Sequence, residues 1–132
     1  DIELSLRRLV RDRSERRAEA LSLLAGAGLA DVAEQSVYDL SGGERQLVAL
    51  TSVLAARPRI IVADEPTTLL DLRNRDLVRE ALAGLEQQVV LATHDLDLAR
   101  EADRVLVVDH GTVVADDAPA EAIAAYLRLV RP

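Results

Sequence analysis

A chain of 132 residues that is 49% hydrophobic and carries a formal net charge of −7 has room for a single core and reads as globular. That charge argues against an unassisted nucleic-acid surface, which needs clustered cations. The absence of cysteine rules out a disulfide framework or a thiolate metal site. No run approaches the roughly 18 apolar residues of a membrane span, and no signal-peptide pattern opens the chain. The expected setting is cytoplasmic, with any membrane association made through a partner.

From the start, residues 1–9 alternate weakly and read as a lead-in segment or the beginning of a helix. Arg7, Arg8, Arg11, Arg13, Arg16 and Arg17 form a basic cluster in an otherwise acidic chain. It reads either as a solvated helix face or as a contact for an acidic loop or lipid headgroups. A helical pattern runs from Ser14 through Ala18, Leu21, Leu24 and Ala25 and should stop near Gly26 and Gly28. A second short helix is expected over residues 29–35. Ser41-Gly42-Gly43-Glu44 then fits the Ser-x-x-Glu capping box. Leu47, Leu50, Thr51 and Leu54 follow at helical spacing, which predicts a helix over residues 42–56. A structural cap has no use for two glycines. Their missing side chains would let a phosphate approach the N–H groups and positive dipole end of the helix.

Arg57-Pro58 breaks that pattern. Residues 59–64, 88–93 and 104–109 are each continuously apolar, which predicts strands covered on both faces in a parallel sheet flanked by helices. Residues 72–85 read as a crossover helix with Leu77, Val78, Ala81, Leu82 and Leu85 inward, and residues 95–102 as a shorter one. Asp109-His110-Gly111 predicts a tight turn into residues 112–115, an antiparallel hairpin, with His110 structural. Pro119 should open a last helix running to about residue 129.

The stretch Ile60-Ile61-Val62-Ala63-Asp64-Glu65-Pro66 is an apolar strand ending in two carboxylates and a proline. Strand alternation turns Asp64 and Glu65 to different sides, and ligands gather at the carboxyl ends of parallel strands. With Leu40-Ser41-Gly42-Gly43-Glu44, it resembles the Walker B and signature motifs of the ATP-binding cassette (ABC) ATPases. Thr68-Leu69-Leu70-Asp71 is similar to the D-loop, and Ala92-Thr93-His94-Asp95 to the switch-histidine loop. Four motifs stand in family order.

The resemblance implies an α/β fold. It would be an ABC-type fragment of a P-loop NTPase, with a helical subdomain over residues 1–40 and the C-terminal part of a RecA-like core over 41–132. It implies ATP and Mg²⁺ as cofactors. Asp64 would hold Mg²⁺ through water, Glu65 would polarise the attacking water, and His94 would sense the γ-phosphate. Ser41, Gly42 and Gly43 would bind the γ-phosphate of an ATP held by the opposing subunit of a head-to-tail dimer, and Asp71 would cross that interface. Glu44 stands where the family most often has glutamine and brings a negative charge near the phosphate. Taken alone, Asp71 and Asp95 also read as helix N-caps, the preferred reading for Asp95.

All 16 basic residues are arginine. A P-loop needs a lysine, so the sequence looks like the C-terminal part of a cassette cut just after the Q-loop, inactive by itself. The compact segment before Ser41 disfavours coiled-coil chromosome and repair ATPases. Pro66-Thr67-Thr68-Leu69-Leu70-Asp71-Leu72-Arg73-Asn74 looks most like the ATPases of energy-coupling-factor importers for cobalt, nickel or vitamins such as biotin. The implied partners are a second ATPase subunit and transmembrane transporter subunits at the cytoplasmic face of the membrane, with no nucleic acid. The alternatives are a soluble ABC protein of translation or DNA repair, and a non-catalytic signature-donating partner.

Overall fold

A computed structural model describes residues 2–131. The chain divides into two compact units, residues 1–91 and 92–132.

The first unit begins with a helical turn, α1 (Ile2–Ser5), which continues into a 3-10 turn at Leu6–Arg8. The helix α2 (Arg13–Gly26) follows, with Asp12 as its N-cap accepting the Glu15 N–H at 2.9 Å. Its end is a Schellman arrangement: Gly28, at φ 73°, donates to Ala25 O at 3.0 Å, and Leu29 donates to Leu24 O at 2.8 Å. Leu24 and Leu29 are both buried, so the hydrophobic contact that accompanies this motif is present. The segment read as a second short helix holds only a 3-10 turn, Ala30–Val32, and a further 3-10 turn covers Val37–Asp39. The helix α3 (Gly42–Ala55) comes next. Ile2, Leu6, Ala20, Leu24, Leu29 and Ala55 form one buried cluster, so α1, α2 and α3 share a core.

Arg57, in the left-handed region at φ 51°, redirects the chain into β1 (Ile60–Asp64). The helix α4 (Leu72–Ala83) then leads to β2 (Gln88–Ala92), which is hydrogen-bonded to β1. Gln88 N–H donates to Arg59 O at 3.2 Å, so both strands start at the same end. The connection runs through a helix, as a parallel pair requires. Neither strand is covered on both faces. Ile61 is buried while Ile60 and Val62 are 54% and 77% exposed, and β2 alternates in the same way. On α4, Val78 and Leu82 are buried, but Leu77, expected inward, is 41% exposed. The helix ends at Ala83, two residues short of the expected end, with Gly84 as its C-cap.

In the second unit, a single helical turn α5 (Leu96–Ala99) precedes β3 (Val105–Asp109) and β4 (Thr112–Asp117). The apolar run at residues 104–109 thus pairs antiparallel with β4, with an irregularity between Val107 and Val108. His110 and Gly111 make the two-residue turn at φ 47° and 77°. Left-handed values at both positions are what a type I′ hairpin turn demands. Arg104 clamps the open end of the hairpin, its Nε and Nη2 donating to the two carboxylate oxygens of Asp116 at 2.6 and 2.5 Å. That pairing lowers the Asp116 pKa and raises that of Arg104. Pro119 opens α6 (Pro119–Val130), whose Ala122 and Ile123 are buried with Val107 and Leu98 as the apolar residues of this unit.

Candidate functional site

The start of α3 carries a complete capping box. Ser41 Oγ accepts the Glu44 N–H at 3.2 Å, and Glu44 Oε2 accepts the Ser41 N–H at 2.7 Å. Hydrogen bonding from Ser41, side chain before backbone, holds the Glu44 carboxyl below its ordinary value of 4.5. Arg45 Nη1 donates to Leu40 O at 2.6 Å and pins the chain entering the cap. Gly42 and Gly43 occupy the first two helical positions, whose N–H groups no helix can satisfy from within.

The acidic residues stand where β1 ends. Asp64 is the last strand residue and is exposed; Glu65 follows, half-buried and at φ 47°. A left-handed glutamate is uncommon and mildly strained. The turn that holds it is closed by Thr68 N–H donating to Glu65 O at 3.2 Å, and by Thr68 Oγ1 donating to Glu65 Oε2 at 3.0 Å. Pro66 and Thr67 are buried beneath it, and Leu70 N–H donates to Thr67 O at 3.3 Å. Leu69 projects outward, 98% exposed at φ 65°. Asp71 closes the loop as the N-cap of α4, accepting the Asn74 N–H at 2.8 Å.

These two features meet. The space that a side chain on Gly43 would need is filled by Asn74, and that of Gly42 is bordered by Leu70. The first unit therefore brings the 41–44 helix start against the 70–74 segment, with Asp64 and Glu65 at the strand end from which that segment departs. His94 belongs to the second unit, exposed in the loop after β2. There Asp95 donates its N–H to Thr93 Oγ1 at 3.0 Å and caps α5 by accepting the N–H groups of Asp97 and Leu98. Asp71 and Asp95 are thus both N-caps, as their sequence positions allowed. Sequence reading missed Thr68, Leu70 and Asn74 as parts of the site. Thr68 and Leu70 stood in the D-loop-like motif and Asn74 in the importer-like stretch, but none of the three carried a role of its own there.

The residues present fit the implied ligands. A helix start with two adjacent glycine N–H groups suits a phosphate. Among the described residues no group of three or more His, Asp or Glu side chains gathers as a metal cage. Mg²⁺ needs none: it is held by one or two carboxylates, with water and substrate phosphates completing its shell. The exposed Asp64 carboxylate meets that requirement.

An α/β fold with a capped glycine helix start beside a strand ending in two acids defines an ATP-binding cassette domain. The ABC transporter profile matches residues 2–68. The chain is 44% identical, over 96% of its length, to a biotin transport ATP-binding protein of Rhizobium etli, of which it covers 56%. It is 38% identical, over 92% of its length, to an energy-coupling factor transporter ATP-binding protein of Leuconostoc mesenteroides, covering 47% of that protein. The chain belongs to the ABC transporter family. It spans about half the length of the curated relatives it matches.

Among solved structures, cbiO1 from Clostridium perfringens, part of the ABC transporter complex cbiONQ, superposes with a TM-score of 0.80 at 25% identity. The match covers all of this chain and 57% of that one. An ATP-binding cassette, MJ0796, solved as a dimer in a post-hydrolysis state with ADP and Pi, gives a TM-score of 0.77 at 34% identity. That match covers 89% of this chain and 54% of the other. No helix among the described residues is long and apolar enough to cross a membrane.

Proposed function

We propose that this chain is the signature- and Walker B-bearing part of an ATP-hydrolysing subunit that powers an energy-coupling-factor type importer. The observation that carries this reading is the capped Gly42-Gly43 helix start packed against the loop that leaves Asp64 and Glu65. The names of the relatives support transport, with biotin as one solute of the class; import and cobalt-type solutes rest on the sequence resemblance.

In this reading Mg²⁺ supplies charge neutralisation for the phosphates, and Asp64 holds it through water. Glu65 orients and polarises the attacking water, the task that every phosphoryl-transfer site must fill. The N–H groups of Gly42 and Gly43, with the Ser41 hydroxyl, bind the γ-phosphate of an ATP carried by the opposing subunit. His94 senses whether that phosphate is attached, and Asp71 crosses the interface. The partners are a second ATPase subunit and transmembrane subunits, which hold the protein at the cytoplasmic face. The division into a helical subdomain over 1–40 and a core part over 41–132 belongs to the same reading.

The test is ATP turnover by the full-length ATPase carrying this chain, reconstituted with its membrane subunits. Glu65→Gln should lower kcat at least a hundredfold while leaving ATP binding in place. A second reading is a signature donor with no hydrolysis of its own. It becomes the better account if Glu65→Gln leaves turnover unchanged while Ser41→Ala abolishes it.

A further inference from the structure

We propose that Asn74 is a positioning residue that locks the helix start bearing Gly42 and Gly43 to the segment bearing Asp71, so that the two act as one rigid joint. This rests on reading residues 41–44 as a phosphate-binding helix start.

Gly43 is buried, although it lies in the first turn of its helix. A Cβ built on it would come within 2.6 Å of the Asn74 Cβ and closer still to the end of that side chain. Real Cβ atoms essentially never approach so closely. Shifting the amide would not help, because the Cβ of residue 74 is itself in the way. Asn74 has little freedom to withdraw. Its N–H is bound by the Asp71 carboxylate at 2.8 Å, and α4 is anchored one turn later by the buried Val78. One path therefore runs from the Asp71 carboxylate through the Asn74 backbone and side chain to the Gly43 backbone.

Glycine at 43 is thus demanded from behind, by packing, whatever ligand lies in front. The N–H groups of α3 point along the helix axis, so a small roll or slide of the helix start would turn them off a phosphate. Asn74 filling the Gly43 notch prevents that motion. A shorter residue at 74 leaves the donors intact but free to drift, and a larger residue at 43 pushes the helix start off α4. Misplaced donors lower the rate of a pre-bound reactant more than they weaken its binding.

The experiment uses the full-length ATPase carrying this chain in four forms: unaltered, Gly43→Ala, Asn74→Gly, and both together. Asn74→Gly should lower kcat five- to twentyfold with KM for ATP within about twofold. Gly43→Ala should lower kcat at least a hundredfold, and the double variant should regain tenfold or more over Gly43→Ala alone. A double variant no faster than Gly43→Ala overturns the joint and leaves the proposed function standing. If the unaltered protein hydrolyses no ATP, the proposed function fails and the joint is read from thermal unfolding of the same full-length protein. There, Gly43→Ala should lower Tm by several degrees and Asn74→Gly should restore at least half of the loss. Independent, additive shifts would overturn it.

Discussion

Thr68 donates its hydroxyl to Glu65 Oε2 at 3.0 Å, across a turn in which Glu65 holds a left-handed backbone. The carboxylate proposed to polarise water is thereby tied to the loop that ends in Asp71. A hydrogen bond to a charged group contributes about 1.5–3 kcal/mol, less where water competes. Thr68→Ala should lower kcat of the full-length ATPase about tenfold, the equivalent of ~1.4 kcal/mol. Thr68→Ser, which keeps the hydroxyl, should stay within about threefold. Equal rates for the alanine and serine variants would show that the bond does nothing for turnover.

The capping box gives a pH dependence with a definite sign. Glu44 has a folded-state pKa below its ordinary 4.5, because Ser41 hydrogen-bonds the charged form. Its contribution to stability is complete above 4.5 and is lost as pH falls through the lower folded value. Glu44→Gln should therefore lower Tm at neutral pH, where the Glu44 contribution is complete, and converge with the unaltered chain in acid, which flattens the acid-side fall. Ser41→Ala should cost about 1 kcal/mol at neutral pH, as loss of an N-cap does. Parallel acid limbs for the unaltered chain and Glu44→Gln would remove Glu44 from the account.

Leu6 is the most deeply buried leucine of the cluster that joins α1, α2 and α3. Leu6→Ala should destabilise the chain by about 2–5 kcal/mol, the range for buried leucine truncation. Chemical denaturation read by helical circular dichroism measures it. A loss under about 1 kcal/mol would mean that this core repacks freely.

Ile60 and Val62 lie on one face of β1, and β2 adds Val90 at 50% exposure. Adjacent exposed β-branched residues on hydrogen-bonded strands invite association. The 132-residue chain should sediment as a mixture that shifts to larger species with concentration, and Val62→Lys should raise the monomer fraction. A concentration-independent monomer would contradict this. No ATP turnover is expected from the chain in either form, and a measurable rate from it would overturn the requirement for a P-loop lysine.

Local signals were the legible ones. Ser41 and Glu44 are three apart and bond each other, so the cap was readable before any packing was known. His110-Gly111 dictated its hairpin turn for the same reason. The apolar runs at residues 59–64 and 88–93 marked strands, but not how far each face would be covered, because that depends on what packs on them. Leu77 was expected inward with Val78, Ala81, Leu82 and Leu85. The 100° turn between successive helix residues carries it off the stripe that Val78 and Leu82 define. Asn74 was illegible as part of the site, since its partner Gly43 is distant in sequence and its role arises only when α3 and α4 meet. His94 was singled out through its neighbours, and the structure gives those neighbours, Thr93 and Asp95, to local capping.

The unequal surroundings of Gly42 and Gly43 bear on how this sequence can drift. A methyl group at 42 would lie 3.3 Å from the Leu70 Cδ2, the tip of a side chain that can swing aside, whereas at 43 it meets a Cβ fixed to a capped helix. Two identical neighbours should therefore tolerate replacement very differently. In a saturation library selected for folding alone, alanine and serine should survive at 42 and be depleted at 43. Variants that do survive at 43 should carry glycine at 74, a compensation spanning two helices that neither position would show if surveyed singly.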